Sequence, residues 1–200
     1  MGVFCFIAEG SYVVFFCLGL QYTFLMHLYF IRHGESVSNQ HELITGQLDV
    51  ALTDKGRAQA TAAGQLAAAQ GIVFDHIVSS PLMRAHDTAR LIAREVGFPE
   101  EQIQLNALAL ERSFGSLQGQ PKGDVLTMTD EYVQSVGGEV DSQVRERAQL
   151  LLDELMELEG TVLVVSHTGF GRRLRGVVQH ISTEDSQVFN NAELTDLGII

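Results

Sequence analysis

Short apolar runs alternate along the chain with longer stretches in which apolar residues recur every three or four positions, a pattern that predicts an α/β domain. His27-Leu28-Tyr29-Phe30-Ile31 reads as a first strand, and Ser36 as the cap of a short helix reaching about His41. Thr53 opens a helix to roughly Gln70, with Ala60, Ala63, Leu66 and Ala67 on one face. Phe74 to Ser79 reads as a second strand. Pro81 reads as the start of the next helix, because a proline there sacrifices no backbone hydrogen bond. Its buried stripe is Ala85, Ala89, Ile92, Ala93 and Val96, and Ile103 to Leu105 is a short strand beyond it. Residues 106–139 are irregular and glycine-spotted, with a short helix around Asp124 to Gln134. A long helix then places Val140, Val144, Ala148, Leu151, Leu155 and Leu158 on one face. Thr161 to Val165 is continuously apolar, as strands covered on both faces are. A helix over 169–180 and a strand near Glu193 to Leu197 complete the pattern.

The N-terminal residues do not fit this alternation. No charge occurs between Glu9 and Arg32, and Val13 to Leu20 is apolar enough to raise a membrane helix. Against that, no Lys or Arg precedes the apolar stretch, and Glu9, Gly10 and Ser11 interrupt it. It also runs almost directly into the first strand, which has to be buried in the domain's own sheet. The expectation is that residues 1–25 are an apolar extension outside the catalytic domain, ahead of a natural start at Met26, and that residues 26–200 form the domain. A signal or anchor, or an unusual packed segment, are the alternatives.

Two hundred residues at 46% hydrophobic describe one domain with room for a substantial core. A formal net charge of -12 leaves no basic surface of the size that nonspecific nucleic-acid binding needs, so no nucleic-acid partner is expected. Eleven of the thirteen basic residues are arginines, several of them beside the motifs below, which suits a small anionic ligand. Both cysteines, Cys5 and Cys17, lie near the N-terminus, so the rest of the chain has no disulfide framework and no cysteine metal site. A reducing, cytoplasmic setting follows as the default.

Three strands end in polar clusters: Arg32-His33-Gly34, Ser79-Ser80-Pro81 leading to Arg84, and Ser166-His167-Thr168-Gly169. Open α/β sheets bind ligands at the carboxyl ends of their strands. If the three are parallel neighbours, His33, Arg84 and His167 meet in one pocket. Imidazole is a competent nucleophile near neutral pH, arginine's planar fork matches phosphate oxygens, and glycine lets the backbone come close. The bland reading of Arg32-His33 is a solvated pair in a loop, and the convergence argues against it.

With these clusters the chain resembles the histidine phosphatase superfamily, the phosphoglycerate mutase-like group. The matching stretches are Arg32-His33-Gly34-Glu35-Ser36-x-x-Asn39, Leu52-Thr53-x-x-Gly56, Ser79-Ser80-Pro81-x-x-Arg84-Ala85-x-x-Thr88-Ala89, Glu111-x-x-x-Gly115-x-x-x-Gly119 and Val165-Ser166-His167, in the family's order from Met26 onward. The resemblance implies a three-layer α/β/α sandwich around a mostly parallel sheet. It implies that His33 attacks phosphorus, that Arg32, Arg84 and His167 surround the phosphoryl group with Asn39 as a further donor, and that Glu111 protonates the leaving oxygen and then activates water. Two arginines and a protonated histidine neutralise the equatorial oxygens without a metal. No His/Asp/Glu grouping has a metal-site spacing, so neither metal nor cofactor is expected.

The stretch from Glu111 to Gly119 is similar to that of cofactor-dependent phosphoglycerate mutases, which carry a long basic insertion after it. Here Gln120 to Gly138 is short and holds Lys122 as its only cation. A mutase needs a lid to keep its phosphohistidine from water, so a short segment favours a phosphatase acting on a small phosphomonoester. A mutase, or a phosphate-binding module without catalysis, are the alternatives. Thr45, Gly46 and Arg112 are the candidate substrate-binding residues, with Lys122, Phe114, Leu117 and Leu126 nearby. A small phosphorylated substrate is the expected partner and a homodimer is left open. No membrane partner is expected unless residues 1–25 are an anchor.

Overall fold

The computed structural model describes residues 25–123, 128–183 and 188–200. The extension read over 1–25 therefore lies outside the described residues except for Leu25, which is exposed. So do residues 124–127, including Leu126, at the head of the helix read over Asp124 to Gln134.

Five strands form one sheet in the order β3-β2-β4-β1-β5, where β1 is Met26–Arg32, β2 His76–Ser79, β3 Gln104–Leu105, β4 Gly160–Ser166 and β5 Leu194–Ile199. Every pairing is parallel except that of β5 with β1. Side chains alternate across the sheet and so divide the core in two. Leu28, Phe30, Val78, Val162 and Val164 pack beneath α5 (Asp141–Leu155) and α6 (Thr168–Val178). Ile31, Ile77, Leu163 and Val165 pack on the other face, beneath α2 (Asp54–Ala69) and α3 (Met83–Val96). The mixed α/β sandwich with a mostly parallel sheet is thus the observed architecture. The short helices are α1 (Val37–Gln40) and α4 (Asp130–Ser135).

Register places the site. Arg32 pairs with Ser166 and Ser79 with Val165, so β1, β2 and β4 end at one edge of the sheet. The ladder runs one residue further, with the His33 N–H on the Ser166 carbonyl (2.9 Å) and the Ser80 N–H on the Val165 carbonyl (3.0 Å).

Three local expectations change. The helix read from Pro81 begins at Met83, whose N–H is accepted by Asp49 Oδ1 (2.7 Å) from a distant loop rather than by a local cap. Leu66, read on the buried face of α2, is 54% exposed. The buried face instead runs through Gly56, Ala60, Ala63, Gly64 and Ala67. A Cβ on Gly64 would lie 3.0 Å from the Ile92 Cα, so α2 and α3 approach too closely for a large residue between them. Val140 caps α5 and Leu158 follows its end, so the stripe of that helix is Val144, Ala148, Leu151 and Leu155.

Candidate active site

His33 follows β1 directly and is 4% exposed. Its Nδ1 lies 2.7 Å from the Gly34 carbonyl, which can only accept, so Nδ1 carries the proton and Nε2 carries the lone pair. Arg84 Nε donates toward that Nε2 at 3.2 Å. The loop is held tightly: Thr88 Oγ1 accepts the Gly34 N–H (3.0 Å), Asn191 Nδ2 donates to the His33 carbonyl (2.8 Å), and Thr53 N–H donates to the Glu35 carbonyl (2.9 Å). A Cβ on Gly34 would lie 2.8 Å from the Gly56 carbonyl carbon. Only glycine at both positions lets the start of α2 press against the His33 loop.

Arg84 is 1% exposed, and its two Nη atoms donate to the Gly46 (2.8 Å) and Leu48 (2.7 Å) carbonyls. Burial lowers its pKa to about 10, opposed by the charges of Glu111 and Asp49. Arg32 Nη1 donates to the Phe189 carbonyl (3.0 Å) while Nε is buried without a partner. Burial also lowers the Arg32 pKa, against the attraction of Glu111. His167 is fully buried, with its ring centre 5.1 Å from that of His33. Its Nε2 meets Ser80 Oγ at 2.9 Å, and its Nδ1 has no partner.

Burial holds both imidazoles well below the usual histidine range, with Arg84 the next contributor in each case. His33 therefore stands neutral, as a nucleophile requires. His167, expected protonated, is also neutral in the free protein; protonating it takes the compensating charge of a bound dianion. Arg32 Nε and His167 Nδ1 are the only buried side-chain polar atoms without a hydrogen-bond partner among the described residues. Buried polar atoms are seldom left without a partner, and these two belong to the residue before His33 and to the imidazole packed against it.

Glu111 sits at the N-terminus of α6. Its Oε2 accepts the Gly169 N–H (3.0 Å), and its Oε1 accepts those of Phe170 (2.9 Å) and Arg112 (2.8 Å). The helix end favours a negative charge there, and only a glycine at 169 leaves room, since a Cβ would lie 3.1 Å from the Glu111 Cδ with Oε1 nearer still.

The structure brings His33, Arg32, Arg84, His167 and Glu111 to one end of the sheet. The other candidates have partners of their own. Asn39 Oδ1 accepts the Ser36 N–H (3.1 Å) in the capping box of α1, so that oxygen serves the helix start. Arg112, read as substrate-binding, donates to the Glu139 carbonyl and to Asp130 Oδ1 (2.7 Å each) and so fastens its own loop. Gly46 has φ +51 and offers its carbonyl to Arg84. Thr45 lies in the same loop, with its carbonyl on the Leu48 N–H.

Sequence reasoning passed over Gln47, Glu139, Arg147 and Asn191, which hold these groups. They act on backbone atoms of distant segments, and such contacts leave no local spacing. Arg147 had one signal: it stands beside Ala148 on the buried stripe of α5. Among the described residues no three His, Cys, Asp or Glu side chains form a metal-binding group, and no helix is long and apolar enough to cross a membrane.

The model of the histidine phosphatase superfamily (branch 1) matches residues 28–199. A 2,3-bisphosphoglycerate-dependent phosphoglycerate mutase of Parvibaculum lavamentivorans is 40% identical over 97 residues, 48% of this chain and 46% of that protein. The chain thus spans about half the length of the curated relatives it matches. Among solved structures, mycobacterial hydrolase 1 covers 86% of this chain and 91% of its own, at 26% identity and TM-score 0.74. A mycobacterial glucosyl-3-phosphoglycerate phosphatase covers 85% and 91%, at 26% identity and TM-score 0.71.

Proposed function

The chain belongs to the histidine phosphatase superfamily, and from that premise we propose that it is a metal-independent phosphatase that hydrolyses a small phosphomonoester through a phosphohistidine on His33. The observation that carries this reading is the meeting of His33, with Nε2 unprotonated, Arg84 and His167 at one sheet edge, where Arg32 Nε and His167 Nδ1 are buried without partners. Nε2 attacks phosphorus in line with the ester oxygen; the P–N bond forms, the P–O bond breaks, and Glu111, having taken the proton of the monoanionic phosphate ester, gives it to the leaving alkoxide. Water then attacks the phosphohistidine, its proton passes back to Glu111, and the P–N bond breaks to free phosphate and Nε2. Arg32, Arg84 and His167 stabilise the equatorial oxygens in both steps.

Two observations favour hydrolysis over mutase transfer. Gln120 to Gly138 is short and carries one cation, Lys122, which is little material for a lid over a labile intermediate. The phosphatase named above is also similar over most of this chain. The similarity to a named mutase supports transfer as the second reading. Incubation with p-nitrophenyl phosphate and with 3-phosphoglycerate, with and without chelator, separates them. Free phosphate from the wild type but not from His33→Ala supports the phosphatase. Isomerised phosphoglycerate without free phosphate reverses the choice, and no turnover across a broad panel of phosphoesters indicates a binding module.

A further inference from the structure

Arg147 lies on α5, and its side chain is 18% exposed. Its guanidinium nevertheless donates to the carbonyls of three residues leading to the acid: Leu108 (2.6 Å), Leu110 (3.0 Å) and Glu111 itself (3.3 Å). Its other edge grips both Glu139 carboxylate oxygens, at 2.9 and 3.0 Å. The same guanidinium stands 5.5 Å over the Phe170 ring, and Phe170 supplies one of the N–H groups that hold the Glu111 carboxylate. Glu139 in turn accepts the Ser113 N–H (2.7 Å), two residues after the acid. Gln47 Nε2 joins the frame, donating to the Glu111 carbonyl at 2.9 Å and to Glu139 Oε2 at 3.5 Å.

From this convergence we infer that Arg147 is a positioning residue for Glu111, fixing the acid's main chain and, through Phe170, one donor to its carboxylate. The inference rests on Glu111 acting as proposed above. A surface ion pair has no use for five acceptors from four residues. A planar fork with fixed N–H directions does, and a lysine's single ammonium cannot reach them together.

A structural brace and a positioner of the acid differ in which substrates suffer when the residue changes. General acid help matters greatly for an alkoxide leaving group and little for nitrophenolate. kcat/KM reports only the steps through alcohol release, so later hydrolysis of the phosphohistidine does not blur the comparison. The experiment measures kcat/KM with glycerol 3-phosphate and with p-nitrophenyl phosphate for the wild type, Arg147→Lys, Gln47→Leu, Glu111→Gln and the double variant Arg147→Lys/Glu111→Gln. Arg147→Lys should lose on the order of 10- to 100-fold on the alkyl ester, and less than about threefold on the aryl ester. Gln47→Leu, the milder change should Arg147→Lys fail to fold, should show the same asymmetry at smaller size. The double variant should be no worse on the alkyl ester than Glu111→Gln alone. Equal losses on the two esters, no loss on either, or an additive double variant overturn the positioning role alone. With His33→Ala run beside them, a wild type that releases phosphate neither from these esters nor from the broad panel, or a fully active His33→Ala, overturns the hydrolase reading and this inference with it.

Discussion

Gly169→Ala tests whether the seat of Glu111 at the head of α6 governs chemistry rather than folding. Gly169 is the second residue of that helix, and its backbone is open to alanine. The added Cβ would lie 3.1 Å from the Glu111 Cδ, where ordinary carbon contacts are about 3.5–4.0 Å. The carboxyl must therefore retreat by about 0.5–1 Å. Oε1, the atom nearest the new Cβ, accepts the Phe170 and Arg112 N–H groups, and losing one of these bonds costs about 1 kcal/mol. Alanine's better helix propensity returns up to about 1 kcal/mol. The two nearly cancel, so Tm should move by no more than about 4 °C in a chain of this size. A catalytic group misplaced by about 1 Å loses on the order of 10²-fold in rate. The check is thermal unfolding of both proteins beside kcat/KM on an alkyl phosphate. A folded variant with wild-type kcat/KM would refute the seat as a determinant of catalysis, and a fall in Tm well beyond about 4 °C would show that the seat is chiefly structural.

Gly34→Ala should act in the opposite way, because the new Cβ would lie 2.8 and 3.0 Å from the backbone C and Cα of Gly56, and neither segment can yield. Overpacking of this kind costs about 1–3 kcal/mol, so the expected result is a Tm lowered by about 2–12 °C together with lost activity; an unchanged Tm refutes the close approach. The buried imidazoles predict a pH response. Both His33 and His167 resist protonation when folded, whereas the unfolded chain takes up those protons near pH 6.5. Their contribution is complete above about pH 6.5 and is lost as pH falls below it, by up to about 1.4 kcal/mol per pH unit for each ring. Urea midpoints should fall between about pH 6.5 and 5, and more shallowly in His33→Asn; a flat wild-type midpoint contradicts the burial of these rings.

The parts of this protein that were legible from the sequence are those in which chain order and spatial order coincide. β1, β2 and β4 each end in a polar cluster, and parallel pairing in register turns three separate strand ends into one site. A helix start such as Thr53 is equally local, since its cap oxygen and the Gly56 N–H it accepts are three residues apart. Where partners come from far along the chain, local reasoning fails for a physical reason. The start of α3 is capped by Asp49, so Pro81 marks it two residues early. Arg112 has the residue type of a substrate ligand, and its Nε and Nη2 also tie its own loop to the Glu139 carbonyl and Asp130, partners that no local spacing reveals. Arg147 has the residue type of a surface helix charge, yet it holds the acid loop by its carbonyl oxygens. A carbonyl has no side chain to betray it, so an arginine that organises backbone reads like one that organises nothing. The position of Arg147 follows from this: in a loop without regular structure, orphan carbonyls must find donors, and an arginine standing on the buried stripe of a neighbouring helix is the donor with the reach to supply several at once.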